Sequence, residues 1–432
     1  MNRREFLAVA AAVMGRPFEG RPADITLRIA ETTIDLSATR SVRTRAYNGQ
    51  VPGPLLRARS GQRLAVDVFN DTNARDLVHW HGFHIPPEVD GAYDEGTPAV
   101  PPHGHQRYEF VANPGGTRWY HSHDMPMRDL KKGTYSGQFG MFIVDADDDP
   151  GAYDVEVPIL LHEWDPHFTS NGPMDVVFKT YSINGKMLGY GDPIRVRSGQ
   201  RALFRIVNAS ATLTHRLALP GHVFRVIALD GNRVPTPSAV RAIDIAPGER
   251  VDGLVEMNNP GVWILGGTDT EQRTNGLGIV VEYANQSGPA RWSPPGPFPW
   301  DYTVFGNSTP AAAPDERLTL VFKAKNDGHH WMINGKSYPD ADPILVSEGK
   351  RYRWTLDNQS ANDHPVHLHR HTFELVSVAG KRTSGVMKDV VIVPAWRQVE
   401  MDVVADQPGV SLFHCHQQFH MDMGFMTLMK YA

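Results

Sequence analysis

The sequence predicts an all-β protein built as three β-sandwich domains. Three observations carry that prediction: a unit repeated three times, strands of period two within each unit, and glycine and proline scattered along the whole chain. The 432 residues are too many for one ordinary core and suit two or three domains. Their 39 glycines and 33 prolines are spread as short strands and frequent turns would use them.

Each repeat opens on an Asn-Gly turn followed by a strand. The first has Asn48-Gly49, then Ser60-Gly61 and the strand Arg63 to Asn70. The second has Asn184-Gly185, then Ser198-Gly199 and Arg201 to Asn208; the third has Asn334-Gly335, then Glu348-Gly349 and Arg351 to Asn358. The steps from Gly61 to Gly199 and on to Gly349 are 138 and 150 residues. Leu64, Val66 and Val68 alternate with other residues, as do Tyr352, Trp354 and Leu356, which buries one face of a strand. The expected domains are residues 23–148, 149–288 and 315–432, with the Pro- and Gly-rich stretch 289–314 as a linker.

A second segment closes each unit. Trp119-Tyr120-His121-Ser122-His123 matches Leu412-Phe413-His414-Cys415-His416, and the middle copy has Leu265 and Gly267 at the histidine positions. Upstream, His79-Trp80-His81 faces His367-Leu368-His369, with His215-Arg216-Leu217 in the middle copy. Residues two apart on a strand share a face, so four His-x-His pairs project eight imidazoles. Neutral imidazole suits copper, and eight buried imidazoles without a metal would leave many nitrogens unsatisfied. Cys415 is the only cysteine of the chain, so no intramolecular disulfide forms. Its sulfur points away from the faces of His414 and His416. With His364 and His420 it offers one thiolate and two imidazoles, the donor set of a trigonal copper site. The middle unit, lacking such pairs, is expected to act as a ligand-free spacer.

These motifs resemble those of the three-domain multicopper oxidases, among them laccases, bilirubin oxidase, ascorbate oxidase and cuprous oxidases, and the likeness runs from about Asp24 to the end. The resemblance implies three cupredoxin-like Greek-key sandwiches and four copper ions. It places His364, Cys415 and His420 on the type 1 copper and His79 and His367 on the type 2 copper. His81, His121, His123, His369, His414 and His416 fall to the type 3 pair. The implied activity is laccase-like: a phenol or aromatic amine gives up single electrons at the exposed edge of His420, and dioxygen is reduced to water. The alternatives are a cuprous or ferrous oxidase in copper tolerance and a copper-free exported scaffold.

Asp90 resembles the family's acid near the type 2 copper, while Gln418 stands where many relatives carry a second acid. Phe425 occupies the axial position, with Met426 adjacent. Among the other histidines, His84 and His371 lie nearest the motifs. A net charge of −5, from 43 basic and 48 acidic residues, gives no electrostatic ground for nucleic acid or an anionic membrane as partner. Arg3-Arg4 before the apolar run Ala8 to Met14 resembles a twin-arginine export signal within residues 1–22, so a periplasmic or secreted protein is expected. No later segment approaches a membrane span.

Overall fold

The computed structural model describes residues 21–146, 152–169, 176–297, 299–326 and 330–432. The export-signal reading rests on residues 1–20, outside them.

The Asn-Gly turns explain why the three units fold alike. Asn48, Asn184 and Asn334 take φ of 54°, 52° and 52°, and the following glycines also have positive φ, the conformation of a tight two-residue hairpin turn. Each Asn also staples its turn to a neighbouring strand: its Oδ1 accepts from the backbone N–H of Arg28, Leu160 or Val321 at 2.7–2.8 Å. The strand of the third repeat keeps the expected period, while Ala202 to Asn208 in the second is buried throughout. Tyr352, Trp354 and Leu356 are buried, whereas Arg351, Arg353 and Thr355 are half-exposed. Asn70, Asn208 and Asn358 end these strands with matching bonds, each accepting at 3.0 Å from the backbone N–H two residues on.

The result is three cupredoxin-like sandwiches. Strands between residues 25 and 145 form two four-stranded sheets. Those between 155 and 283 form a six- and a five-stranded sheet beside a two-stranded ribbon, and those between 316 and 431 repeat the two larger sheets in the same strand order. The first domain has its own core around Trp80 and Phe83. The cores of the second and third merge into one buried cluster. Small apolar clusters close the seams, Trp119 with Leu160 and Val207 between domains one and two, and Ala92 with Leu412 and Met426 between one and three. Strands Val78–His81 and Gly116–Ser122 pair in domain one, as His364–Leu368 and Val410–Cys415 pair in domain three. Those two pairs face each other at the seam. No helix among the described residues is long and apolar enough to cross a membrane.

Candidate metal centre

In domain three, Cys415 pairs with Val366 on the neighbouring strand, so its sulfur turns to the face opposite His414 and His416. The short helix Gln418–Asp422 then folds His420 back over the sulfur. Cys415 Sγ lies 3.8 Å from His364 Nδ1 and 3.7 Å from His420 Nδ1, and the two nitrogens are 3.2 Å apart. A point equidistant from all three is about 2.1 Å from each, a metal–ligand bond length. The Ser360 hydroxyl is hydrogen-bonded to His364 Nε2 at 2.9 Å, which fixes the ring with Nδ1 inward. Burial pushes the Cys415 thiol up and His420 down to about 3. A bound cation is what would make this buried sulfur a thiolate. The Phe425 ring packs on His364 at 4.7 Å, while Met426 belongs to the apolar cluster with Ala92 and Leu412. His420 is only 3% exposed, with the Trp331 ring tilted against it, centroids 4.5 Å apart. The exposed imidazole edge expected from the sequence is thus narrowed to a sliver, because Trp331 and the helix pack around the ring.

The eight remaining imidazoles converge at the seam of domains one and three, in three buried groups: His79, His81 and His367; His81, His121 and His416; His123, His369 and His414. Outer hydrogen bonds aim them. His79 Nδ1–H donates to the Asp90 carbonyl at 2.9 Å and His367 Nδ1–H to the Asp389 carbonyl at 2.7 Å, which leaves their Nε2 atoms facing each other at 3.4 Å. His121 and His414 each donate from Nδ1 to the carbonyl of the following residue at 2.9 Å. His81 Nδ1, His121 Nε2, His123 Nε2 and both nitrogens of His416 are buried without a partner. Unsatisfied buried nitrogens in such number mark a polar cavity built for ions. Burial, with the neighbouring imidazoles, holds His81, His121, His123, His367, His369 and His414 well below the usual histidine range, and His416 near 3. They remain neutral and able to ligate.

Carboxylates surround this cluster. Asp90 Oδ2 accepts from His369 Nδ1 at 2.8 Å, so Asp90 touches two imidazoles, one by carbonyl and one by carboxylate. Glu95, which the sequence reading missed, lies 3.4 Å from the same His369 nitrogen and accepts from Leu412 N–H at 2.6 Å. Burial and the adjoining Asp90 push the Glu95 carboxyl well up. On the far side, Asp389 Oδ1 is 3.2 Å from His81 Nε2. Gln418, in place of an acid, bridges the Thr134 hydroxyl at 2.8 Å and the buried Asp422 carboxylate at 2.9 Å. His371 donates to the His369 carbonyl at 3.0 Å and reaches the Tyr431 hydroxyl at 3.0 Å; His84 Nε2 finds no partner.

Domain two supplies none of the grouped donors, yet it is more than a spacer. Arg250 clamps both Asp389 oxygens at 2.5 and 2.6 Å and donates from Nε to the Thr117 carbonyl of domain one at 3.1 Å. Gly248 lets its loop approach His416, for a Cβ there would sit 2.7 Å from the ring.

Strand register also corrects the alignment of the middle copy. Leu217 pairs with Gly267 as Val366 pairs with Cys415, so Gly267, not Gly266, stands at the cysteine and Gly266, not Leu265, at His414. His215 is hydrogen-bonded to Ser210 at 2.9 Å as His364 is to Ser360, and so matches His364 rather than His79 or His367. Gln272 matches His420: Leu277 N–H donates to its carbonyl as Phe425 N–H does to that of His420. His215 Nδ1 and Gln272 Oε1 lie 3.0 Å apart. Domain two thus keeps the frame of a trigonal site, with the thiolate missing and Leu277 filling its place.

Multicopper oxidase family models match residues 28–149, 155–285 and 308–432. The chain belongs to the multicopper oxidase family. It is 29% identical to multicopper oxidase MmcO of Mycobacterium tuberculosis, over 98% of this chain and 90% of that one. It is 26% identical to Laccase-2 of Fomitopsis schrenkii, over 89% and 85%. The crystal structure of a multi-copper oxidase from Pseudomonas thermotolerans superposes with a TM-score of 0.76 at 26% identity, covering 95% of this chain and 100% of that one. Buried histidine clusters fit the type 1, type 2 and type 3 copper sites of such an oxidase.

Proposed function

We propose that this multicopper oxidase is laccase-like, taking single electrons from phenols or aromatic amines and reducing dioxygen to water. His364, Cys415 and His420 would hold one copper, His79 and His367 a second, and His81, His121 and His416 with His123, His369 and His414 a pair. Copper in these sites would supply one-electron oxidation at the first and dioxygen reduction at the other three. The reaction consumes protons, and Glu95 keeps its proton beside His369 for that use.

The observation that carries the substrate reading is Phe425 against His364. A ring without a lone pair beside His364 would add no donor to a copper held there, which would favour its reduced form and a strongly oxidising site, as reluctant phenols require. Similarity to a laccase supports it. Oxidation of cuprous or ferrous ions is the second reading. Asp422 favours it: one of its buried oxygens has no partner, two residues past His420 and between Met421 and Met423. We place the enzyme in the periplasm or outside the cell, on Arg3-Arg4 and the apolar run behind them.

Turnover of syringol, Fe(II) and Cu(I) by one copper-loaded sample tests the proposal. The phenol should be oxidised with kcat/KM at least equal to that of either ion. An ion preferred by about tenfold or more, a difference of 1.4 kcal/mol in transition-state binding, overturns the laccase reading.

A further inference from the structure

Beside the helix that carries His420 lies a groove of about 810 Å3, lined by residues of domains one and two. Leu130, Trp164 and Phe168 give it an apolar, aromatic floor. Phe168 meets Phe419 edge-on, ring centroids 5.1 Å apart, and Phe419 directly precedes His420. The Arg128 guanidinium lies over both rings, 5.0 and 5.9 Å from their centroids.

The walls are basic. Arg40, Arg43, Arg128, Lys131 and Lys179 face the groove against two acids, Asp129 and Asp165. Arg40 pairs with Asp165 and Arg43 with Glu31, and Asp129 is taken by Lys132. Arg128, Lys131 and Lys179 are left with no carboxylate partner among the described residues. A chain of net charge −5 thus gathers three uncompensated cations around one aromatic floor. Such a concave surface with an excess of one charge concentrates ligands of the opposite charge. The volume suits a molecule of one or two rings.

We infer that this groove binds aromatic reductants carrying an anionic group, a carboxylate or sulfonate, with the ring on Phe168 and the anion toward Arg128, Lys131 and Lys179. The inference rests on the phenol-oxidase reading for its consequence, and it gives a reductant a place to dock beside a His420 that is only 3% exposed. A ring on Phe168 is one edge-on contact from Phe419, and so from the residue bonded to His420.

Syringate and syringol differ by one carboxylate, so their kcat/KM ratio reads the groove directly. The exposed pair Lys131→Glu/Lys179→Glu should lower the syringate-to-syringol ratio by about tenfold or more, the scale of reversed surface charges. Added salt should lower the ratio in the parent enzyme too. Benzenesulfonate, which has no hydroxyl to oxidise, should bind the copper-loaded parent in calorimetry and bind the double variant at least about tenfold more weakly on the same charge argument. An unchanged ratio together with equal benzenesulfonate affinity overturns the inference. If benzenesulfonate discriminates between the two proteins but neither phenol is turned over, the groove stands as a site for aromatic anions and the laccase reading falls instead.

Discussion

Phe425 packs against His364 of the Cys415 triangle and against the rings of Phe322 and Trp331. A methionine there would add a weak thioether donor, which stabilises the oxidised metal more than the reduced one. If that bond contributes roughly 1.4–2.8 kcal/mol, Phe425→Met lowers the type 1 potential by about 60–120 mV. A redox titration of the blue band checks this, and an unchanged potential would exclude Phe425 from the axial position. Glu95 gives a prediction of a different kind. Its carboxyl is raised well above the ordinary 4.5 by burial and by Asp90. A carboxyl raised in the folded state contributes stability below its unfolded pKa and loses it as pH climbs toward the folded one. Glutamine keeps an oxygen for the Leu412 N–H and never ionises. The copper-free Glu95→Gln protein should therefore gain melting temperature over its parent between about pH 5 and pH 8, with the gain vanishing near pH 4. An offset that stays constant across that range would show that Glu95 is not the titrating group.

At the scale of elements, the strand Val410–Cys415 and the helix behind it serve two sites because successive side chains leave a strand on opposite faces. The equivalent elements of domain two, Val262–Gly267 and Thr270–Thr274, keep that geometry with the chemistry removed. A Cβ on Gly267 would meet Leu277 Cδ2 at 2.9 Å, so restoring the site needs room as well as donors. Cys415→Ser should abolish the blue absorption. In that background, Gly267→Cys/Gln272→His/Leu277→Ala should bring a copper-dependent blue band back from the middle domain. Failure to bind copper in a folded triple variant would mean that the frame has drifted too far. These elements also mark how much was legible in advance. The Asn-Gly turns, the alternating strands and the eight paired imidazoles are local patterns, and each one appears in the structure where its spacing puts it. The middle copy was read out of register because only glycines and a leucine remained to align. Glu95, Asp389 and Arg250 escaped notice because they act at a distance in sequence. Asp90 follows His79 by 11 residues, while its counterpart Asp389 follows His367 by 22, so no repeat signal joins them.

Across the whole molecule, the cluster is a joint between the two ends of the chain: His79 and His367 face each other across 288 residues of sequence. Arg250 of the middle domain holds that joint from behind through Asp389, whose carbonyl aims His367. Removing one partner of such a fully buried pair costs about 3–5 kcal/mol, because the other charge is left uncompensated. Arg250→Met should lower the melting temperature and weaken the type 2 copper resonance first, with the blue band at the Cys415 site persisting. Parallel loss of both signals would point instead to general unfolding. Copper should raise the melting temperature of the parent, since only the assembled domains present all the donors.

The solitary, fully buried Cys415 has one more use. With its thiol pushed up by burial, it is inert to alkylating reagents until the wall of domain three opens. Its labelling rate therefore counts those openings, with no other sulfhydryl in the chain to confuse the count. Mass spectrometry of copper-free and copper-loaded samples, each pulsed with iodoacetamide, would time how often the metal pocket breathes and how far a seated ion quiets it.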